Sequence, residues 1–180
     1  MEFNFVPMNL DYAKEMIDNW KYGEEYQVYD YVNETELLLD EENWGHGKFA
    51  VLDEKDELVG EFTIEFFKEG EEDSEDEGYV EHRVVRSNPK STYEMWVGWG
   101  LKPELCGKGL GEKFVASCID FAIEEYNYKG EYVHFGVASF NKRAIKVYER
   151  LGFETFRTCE GEISNEKFEI YQMRRKKDNN

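Results

Sequence analysis

Tyr93-Glu94-Met95-Trp96-Val97-Gly98-Trp99-Gly100-Leu101 is an apolar, aromatic-rich run that reads as a β-strand. Pro103 stops it, and Leu105-Cys106-Gly107-Lys108-Gly109-Leu110-Gly111 follows as a glycine-dense turn. Leu110 to Tyr126 then makes an amphipathic helix, with Leu110, Phe114, Cys118, Phe121 and Ala122 on one stripe. Strand, glycine turn and helix in this order is the geometry of an anion site. Glycines lack a Cβ, so their main chain can approach an anion closely and adopt positive φ. Free N–H groups and the dipole at the helix start favour a diphosphate there. The turn is not a Walker A loop, because no Lys-Ser/Thr follows the last glycine. Nor does the even spacing of Gly107, Gly109 and Gly111 fit the dinucleotide fingerprint.

Downstream, Tyr132 to Ala138 reads as a strand and Asn141 to Leu151 as a second helix, closed by Gly152 at its C-terminus. Asn141 and Tyr148 are seven residues apart, close to two helical turns, and therefore face the same way. Taken singly, an asparagine at a helix start is an N-cap and such a tyrosine packs. Phe153 to Arg157 and Phe168 to Met173 are expected final strands. Upstream, Asp11 to Tyr22 places Tyr12, Met16, Ile17 and Trp20 at helical spacing, and a looser, tyrosine-rich stretch runs from Tyr26 to Leu39. Lys48 to Leu52 and Leu58 to Phe67 flank the polar turn Asp53 to Glu57 as an antiparallel hairpin. A strand is expected from Gly78 to Val85, before a turn at Ser87-Asn88-Pro89. An antiparallel N-terminal part followed by strand–helix alternation means a mixed α/β or α+β fold.

With 180 residues and no dividing linker, one domain spanning 1–180 is expected, with an acidic loop at about 69–78 and a short basic and polar tail at 174–180. Forty Asp and Glu against twenty-two Lys and Arg leave a net charge of −18, which argues against nucleic acid and anionic membranes as partners. The same field would concentrate a cationic substrate such as an amine, although excess negative charge also serves solubility. Seven of the nine residues from Glu69 to Glu77 are acidic, the composition of a solvated loop. Asp73, Glu75, Glu77 and Gly78 imitate the start of a calcium loop, but Val84 stands where a bidentate Glu is needed, so no metal site is expected. Cys106, Cys118 and Cys159 form no CxxC and read as reduced thiols. The start carries no secretory signal and no run reaches the roughly 20 apolar residues of a membrane span, so a cytoplasmic location is expected.

The two motifs together resemble those of the GNAT superfamily, the acetyl-CoA-dependent N-acetyltransferases. The family's Arg/Gln-x-x-Gly-x-Gly/Ala aligns with Cys106 to Gly111, and its Asn-x-x-Ala-x-x-x-Tyr-x-x-x-Gly-Phe matches at Asn141, Ala144, Tyr148, Gly152 and Phe153. The resemblance covers about Tyr93 to Phe156. It implies a mostly antiparallel mixed sheet with a splayed parallel strand pair, flanked by helices. It also implies acetyl-CoA as co-substrate, held by Trp99, Gly100 and Leu101, by Cys106, Gly107, Lys108, Gly109, Leu110, Gly111 and Glu112, and by Asn141. Tyr148 becomes the general acid for the departing thiolate. The acceptor is a small-molecule or protein amine, and a homodimer is compatible. Glu94 is the candidate base, since it shares a face with Trp96 and Gly98 on the strand leading to the acetyl site, an ordinary exposed strand glutamate being the other reading. Glu65 and His134 are further options, His134 reading also as a hydrogen-bonded core residue. Trp20, Tyr22, Tyr26, Tyr29, Trp96 and Trp99 line the acceptor pocket or simply pack. Cys106 departs from the family's Arg or Gln, and its place before a helix suggests a lowered thiol pKa and easy oxidation. Two other functions stay open: a non-catalytic acyl-CoA-binding module, and an acidic interaction protein acting through Glu69 to Glu77.

Overall fold

The computed structural model describes residues 1–70 and 78–178; Asp73, Glu75 and Glu77 of the acidic run, weighed above as loop or calcium ligands, lie outside the described residues. The strands are β1 (Asn4–Pro7), β2 (Lys48–Leu52), β3 (Leu58–Lys68), β4 (Tyr93–Leu101), β5 (Tyr132–Ala138), β6 (Glu154–Ile163) and β7 (Glu166–Lys176). They form one sheet in the order β1-β2-β3-β4-β5-β7-β6, antiparallel at every step except β4–β5. The helices are α1 (Leu10–Asn19), α2 (Thr35–Leu38), α3 (His82–Ser87), α4 (Gly111–Glu125) and α5 (Lys142–Arg150). Between α1 and α2 the tyrosine-rich stretch winds into two short 3₁₀ turns, Glu24–Tyr29 and Tyr31–Asn33.

Period-two alternation sorts the strands onto two faces. Phe62, Ile64 and Phe66 of β3, Met95 and Val97 of β4, and Val133, Phe135 and Val137 of β5 are buried in one core with Phe114, Val115, Cys118, Ile119 and Ala122 of α4 and with Ile145 and Tyr148 of α5. At Gly60 a Cβ would stand 2.6 Å from the Phe114 ring, so only glycine lets α4 settle on β3. On the other face Ala50 and Leu52 pack with Met16 of α1, with Trp20 just after it and with Tyr31, a second core under the 3₁₀ turns. Each buried aromatic or aliphatic side chain here contributes roughly 1.5–3 kcal/mol.

The step that positions the site is the parallel one. β4 and β5 are in register only at Met95↔Val133 and Trp96↔His134. Beyond Trp96, β4 stays paired with β3 as far as Leu101↔Gly60, and β5 stays paired with β7 as far as Ala138↔Ile170. The two strands part like a V, and the inner edges of Val97–Leu101 and Phe135–Ala138 face the gap.

Several expectations need correction. Gly78 to Val85 is not a strand: Tyr79 makes a single bridge to Phe67, and the chain then turns into α3. Its buried residues His82 and Val85 are three apart, so packing on β3 selects a helical turn over the strand preference of the valines. α1 ends at Asn19, leaving Tyr22 outside it. Arg174 to Lys176, read as tail, close β7. β1 was not anticipated at all. Among the described residues no helix is long and apolar enough to cross a membrane, and no group of three His, Cys, Asp or Glu is arranged to hold a metal.

Candidate active site

The V between β4 and β5 opens into a cleft of about 830 Å³. At one end lies the glycine turn. Gly107 and Gly109 have φ of 76° and 77°, a conformation L side chains rarely adopt. A Cβ at Gly109 would meet nothing within 4 Å, so the turn is open on that side. α4 begins right after it, and its N-cap, Leu110, offers no side-chain acceptor. The first N–H groups of α4 are thus left for a ligand. Arg143, Lys146 and Arg150 of α5 line the same end.

At mid-cleft Tyr148 is buried, and its hydroxyl accepts a hydrogen bond of 2.9 Å from the Trp99 indole N–H. Burial pushes the phenol up to about 12, with the Trp99 bond pulling the other way, so Tyr148 keeps its proton at neutral pH. Asn141 caps α5, its Oδ1 accepting the Ala144 N–H at 3.3 Å. The capping role expected of an isolated asparagine is therefore filled at the cleft wall.

The β3 side of the cleft carries opposite charge. Glu61, only 6% exposed, faces Gly100 across the β3–β4 ladder. Its Oε1 accepts the Tyr31 hydroxyl at 3.1 Å, and its Oε2 accepts Lys48 Nζ and the Thr63 hydroxyl, each at 3.2 Å. Tyr31 Oη sits so close above Gly100 that a Cβ there would be 1.8 Å from it. Burial, then the neighbouring Glu61, holds the Tyr31 phenol well above its usual range. Glu34 lines this side too, its carboxyl raised by burial first and by Glu61 second. Tyr22 donates to the Leu101 carbonyl at 2.9 Å.

Trp99, Gly100, Leu101, Cys106, Gly107, Gly109, Gly111, Asn141 and Tyr148 thus converge on one cleft. Lys108, Leu110 and Glu112 do not line it, and Glu112 instead pairs with Arg150 at 3.2 Å. Glu94 lies in the half of β4 still paired with β5 and opposite Phe67, where its carboxylate accepts the Trp96 indole N–H at 3.4 Å. It does not reach the cleft, which removes the geometric ground for Glu94 as base. His134 is buried, stacked on Trp96, with Nδ1 3.2 Å from the Met95 carbonyl. Glu65 has a carboxyl raised by desolvation but lies outside the cleft lining. Of the aromatics, Tyr22, Tyr26, Tyr29 and Trp99 line the cleft, whereas Trp20 is in the second core.

The Cys106 thiol is not activated. Its Sγ faces the carbonyls of Leu101 and Lys102, each at 3.6 Å, and burial raises its pKa, partly offset by Arg143. The sulfur looks back at the end of β4 instead of along α4, whose first residue is Gly111. Glu61, Glu34, Tyr31 and Arg143 were not found from sequence. Glu61 carries a trace there, as a charged residue flanked by Gly60 and Phe62 in a mostly apolar strand.

A family model described as acetyltransferase (GNAT) domain matches residues 1–154. No curated protein matches this chain. Among solved structures, a chimera of the spermidine N-acetyltransferase SpeG from Vibrio cholerae with hSSAT is similar at a TM-score of 0.64 and 16% identity, over 98% of this chain and 96% of that one. A GNAT-family acetyltransferase from Bacillus anthracis is similar at a TM-score of 0.63 and 12% identity, over 97% of this chain and 94% of that one. At such identities the likeness is one of fold.

Proposed function

This chain belongs to the GNAT acetyltransferases, and from that membership we propose that it transfers an acetyl group from acetyl-CoA directly to the nitrogen of a primary amine. One observation carries the reading: a single cleft is lined by an uncapped helix start beside a glycine turn, by a protonated tyrosine and by a buried carboxylate. The residues present fit the co-substrate. The turn at Gly107 and Gly109 and the first N–H groups of α4 suit its diphosphate, and the open edges of Val97–Leu101 and Phe135–Ala138 suit an amide-bearing arm that pairs like a strand. Bound acetyl-CoA supplies an acyl thioester, activated toward nitrogen nucleophiles.

The chain's own groups do the rest. Main-chain N–H groups of the parted β4 segment stabilise negative charge on the carbonyl oxygen, an effect worth roughly 3–4 kcal/mol per well-placed donor. The Tyr148 hydroxyl, already accepting the Trp99 N–H, gives its own proton to the departing sulfur. Most amines arrive protonated, and the Tyr31–Glu61 pair stands where that proton must go: the hydroxyl takes it from nitrogen while passing its own to Glu61 Oε1. Glu61 replaces Glu94 in this role because it lines the cleft. Lys48 Nζ stands 3.2 Å from the other carboxylate oxygen and holds the side chain in place. The tyrosine walls and the anionic side favour a cationic acceptor over a neutral one.

Purified protein mixed with acetyl-CoA and a panel of amines, amino acids and peptides tests the proposal. Free thiol should appear with at least one cationic amine, and silence across a broad panel would count against it.

A further inference from the structure

Cys106 stands where the matching motif carries Arg or Gln, so the glycine turn has no cationic or amide side chain of its own at that point. The structure brings a guanidinium there from elsewhere. Arg143 is the second residue of α5, and its Nη1 lies 3.7 Å from the position of a Cβ on Gly107, beside a turn otherwise open. It lines the main cleft and also a neighbouring cavity of about 820 Å³ that shares Tyr22, Tyr26 and Cys106 with it. Tyr26 holds the guanidinium from the far side, with the arginine carbon 5.0 Å from the ring centroid. Among the described residues no carboxylate is paired with Arg143, although forty acidic residues are available to a chain of net charge −18. Its neighbour on the same helix, Arg150, is by contrast tied to Glu112. A guanidinium kept without a counter-ion, propped by an aromatic ring and aimed at main-chain donors, is suited to a diphosphate.

We infer that Arg143 binds the diphosphate of the co-substrate and supplies, from α5, the charged side chain that the turn lacks at Cys106. The inference rests on the acetyl-CoA reading above. It makes the grip two-sided: main-chain N–H groups of the turn and α4 on one side, a planar fork from α5 on the other. It also ties that grip to the 3₁₀ turn Glu24–Tyr29, because Tyr26, which props Arg143, walls the cleft as well.

Calorimetry on the full chain tests it, with coenzyme A, dephospho-coenzyme A and the phosphate-free pantetheine as probes. Arg143→Met, which keeps the aliphatic stem, should weaken coenzyme A and dephospho-coenzyme A alike by about 10- to 100-fold, the range for a lost charge-assisted contact. Pantetheine binding should change by less than about twofold, since it has no phosphate to hold. Adding Cys106→Arg to that variant should recover most of the loss by restoring the cation on the other strand of the turn. An Arg143→Met protein that binds coenzyme A as the wild type does would overturn the inference. So would an equal loss for pantetheine, which would mean a structural role through Tyr26, or a loss confined to coenzyme A, which would move the contact to the 3′-phosphate. Wild-type protein that binds none of the probes would instead bring down the acetyl-CoA reading itself, and this inference with it.

Discussion

Replacing Gly100 with alanine puts a methyl group where the Tyr31 hydroxyl now is. The added Cβ would stand 1.8 Å from Oη and 3.1 Å from Cζ, far inside van der Waals contact. Tyr31 cannot swing away freely. Its ring is packed edge-on against Trp20 at 5.8 Å and lies in the second core, and its hydroxyl is tied to Glu61. Either the ring moves and the bond to a buried carboxylate breaks, at about 1.5–3 kcal/mol for a hydrogen bond to a charged group, or the sheet deforms, at about 1–3 kcal/mol for overpacking. Either cost, about 1–3 kcal/mol, is a large part of the roughly 5–15 kcal/mol that holds a domain folded. Urea denaturation should show the midpoint of Gly100→Ala lowered by roughly 0.5–1.5 M at an unchanged slope. Tyr31→Phe removes the atom that is struck. The double variant Gly100→Ala/Tyr31→Phe should therefore lose at least ~1 kcal/mol less than the two single losses added together. A Gly100→Ala protein within ~0.5 kcal/mol of wild type, or a strictly additive double variant, would refute the placement of Tyr31 over Gly100 of β4.

Glu61→Gln should leave the affinity for coenzyme A within about twofold while lowering turnover of a cationic amine by about 100-fold or more, the scale of lost general-base catalysis, read by thiol release. Turnover undiminished would move the proton path elsewhere. His82 gives a pH signature: its Nε2 donates to the Ile64 carbonyl at 2.6 Å, Tyr79 stands 3.3 Å from Nδ1, and burial depresses its pKa below 6.5. The unfolded chain takes up a proton near pH 6.5 that the folded chain refuses, so the stability His82 contributes is present above that pH and lost below it. The difference in melting temperature between wild type and His82→Gln should accordingly shrink as pH falls from 8 to 5.5, and a constant difference would refute it.

The part of the fold that glycine and periodicity punctuate could be read from the chain alone. β4, the glycine turn, α4, β5 and α5 all begin and end within one or two residues of where Pro103, Gly111, Asn141 and Gly152 suggested. β1 escaped notice because four residues ending in Pro7 have no pattern of their own and become a strand only by pairing with β2. α3 was misread because β-branched residues advertise a strand, while its helical form depends on His82 wedging against Gly47 and β3. The glycine-turn part of the cleft lies within one continuous stretch and was visible. The Glu61 part was not, since it is made by register: Glu61 meets Gly100 across a ladder, and Tyr31 descends on them from a 3₁₀ turn. Glu94 looked suitable only because sequence cannot say at which residue β4 and β5 part company, and that point, Trp96↔His134, comes just after it.

The most direct measurement takes Tyr148→Phe and determines acetyl-CoA affinity and turnover side by side. Losing one oxygen leaves the ring packed on Trp99, at 5.5 Å between centroids, and on Phe135, at 4.5 Å. Affinity should stay within about threefold of wild type while turnover falls by about 100-fold or more, because only the proton for the departing sulfur is gone. A variant that turns over at the wild-type rate would contradict it.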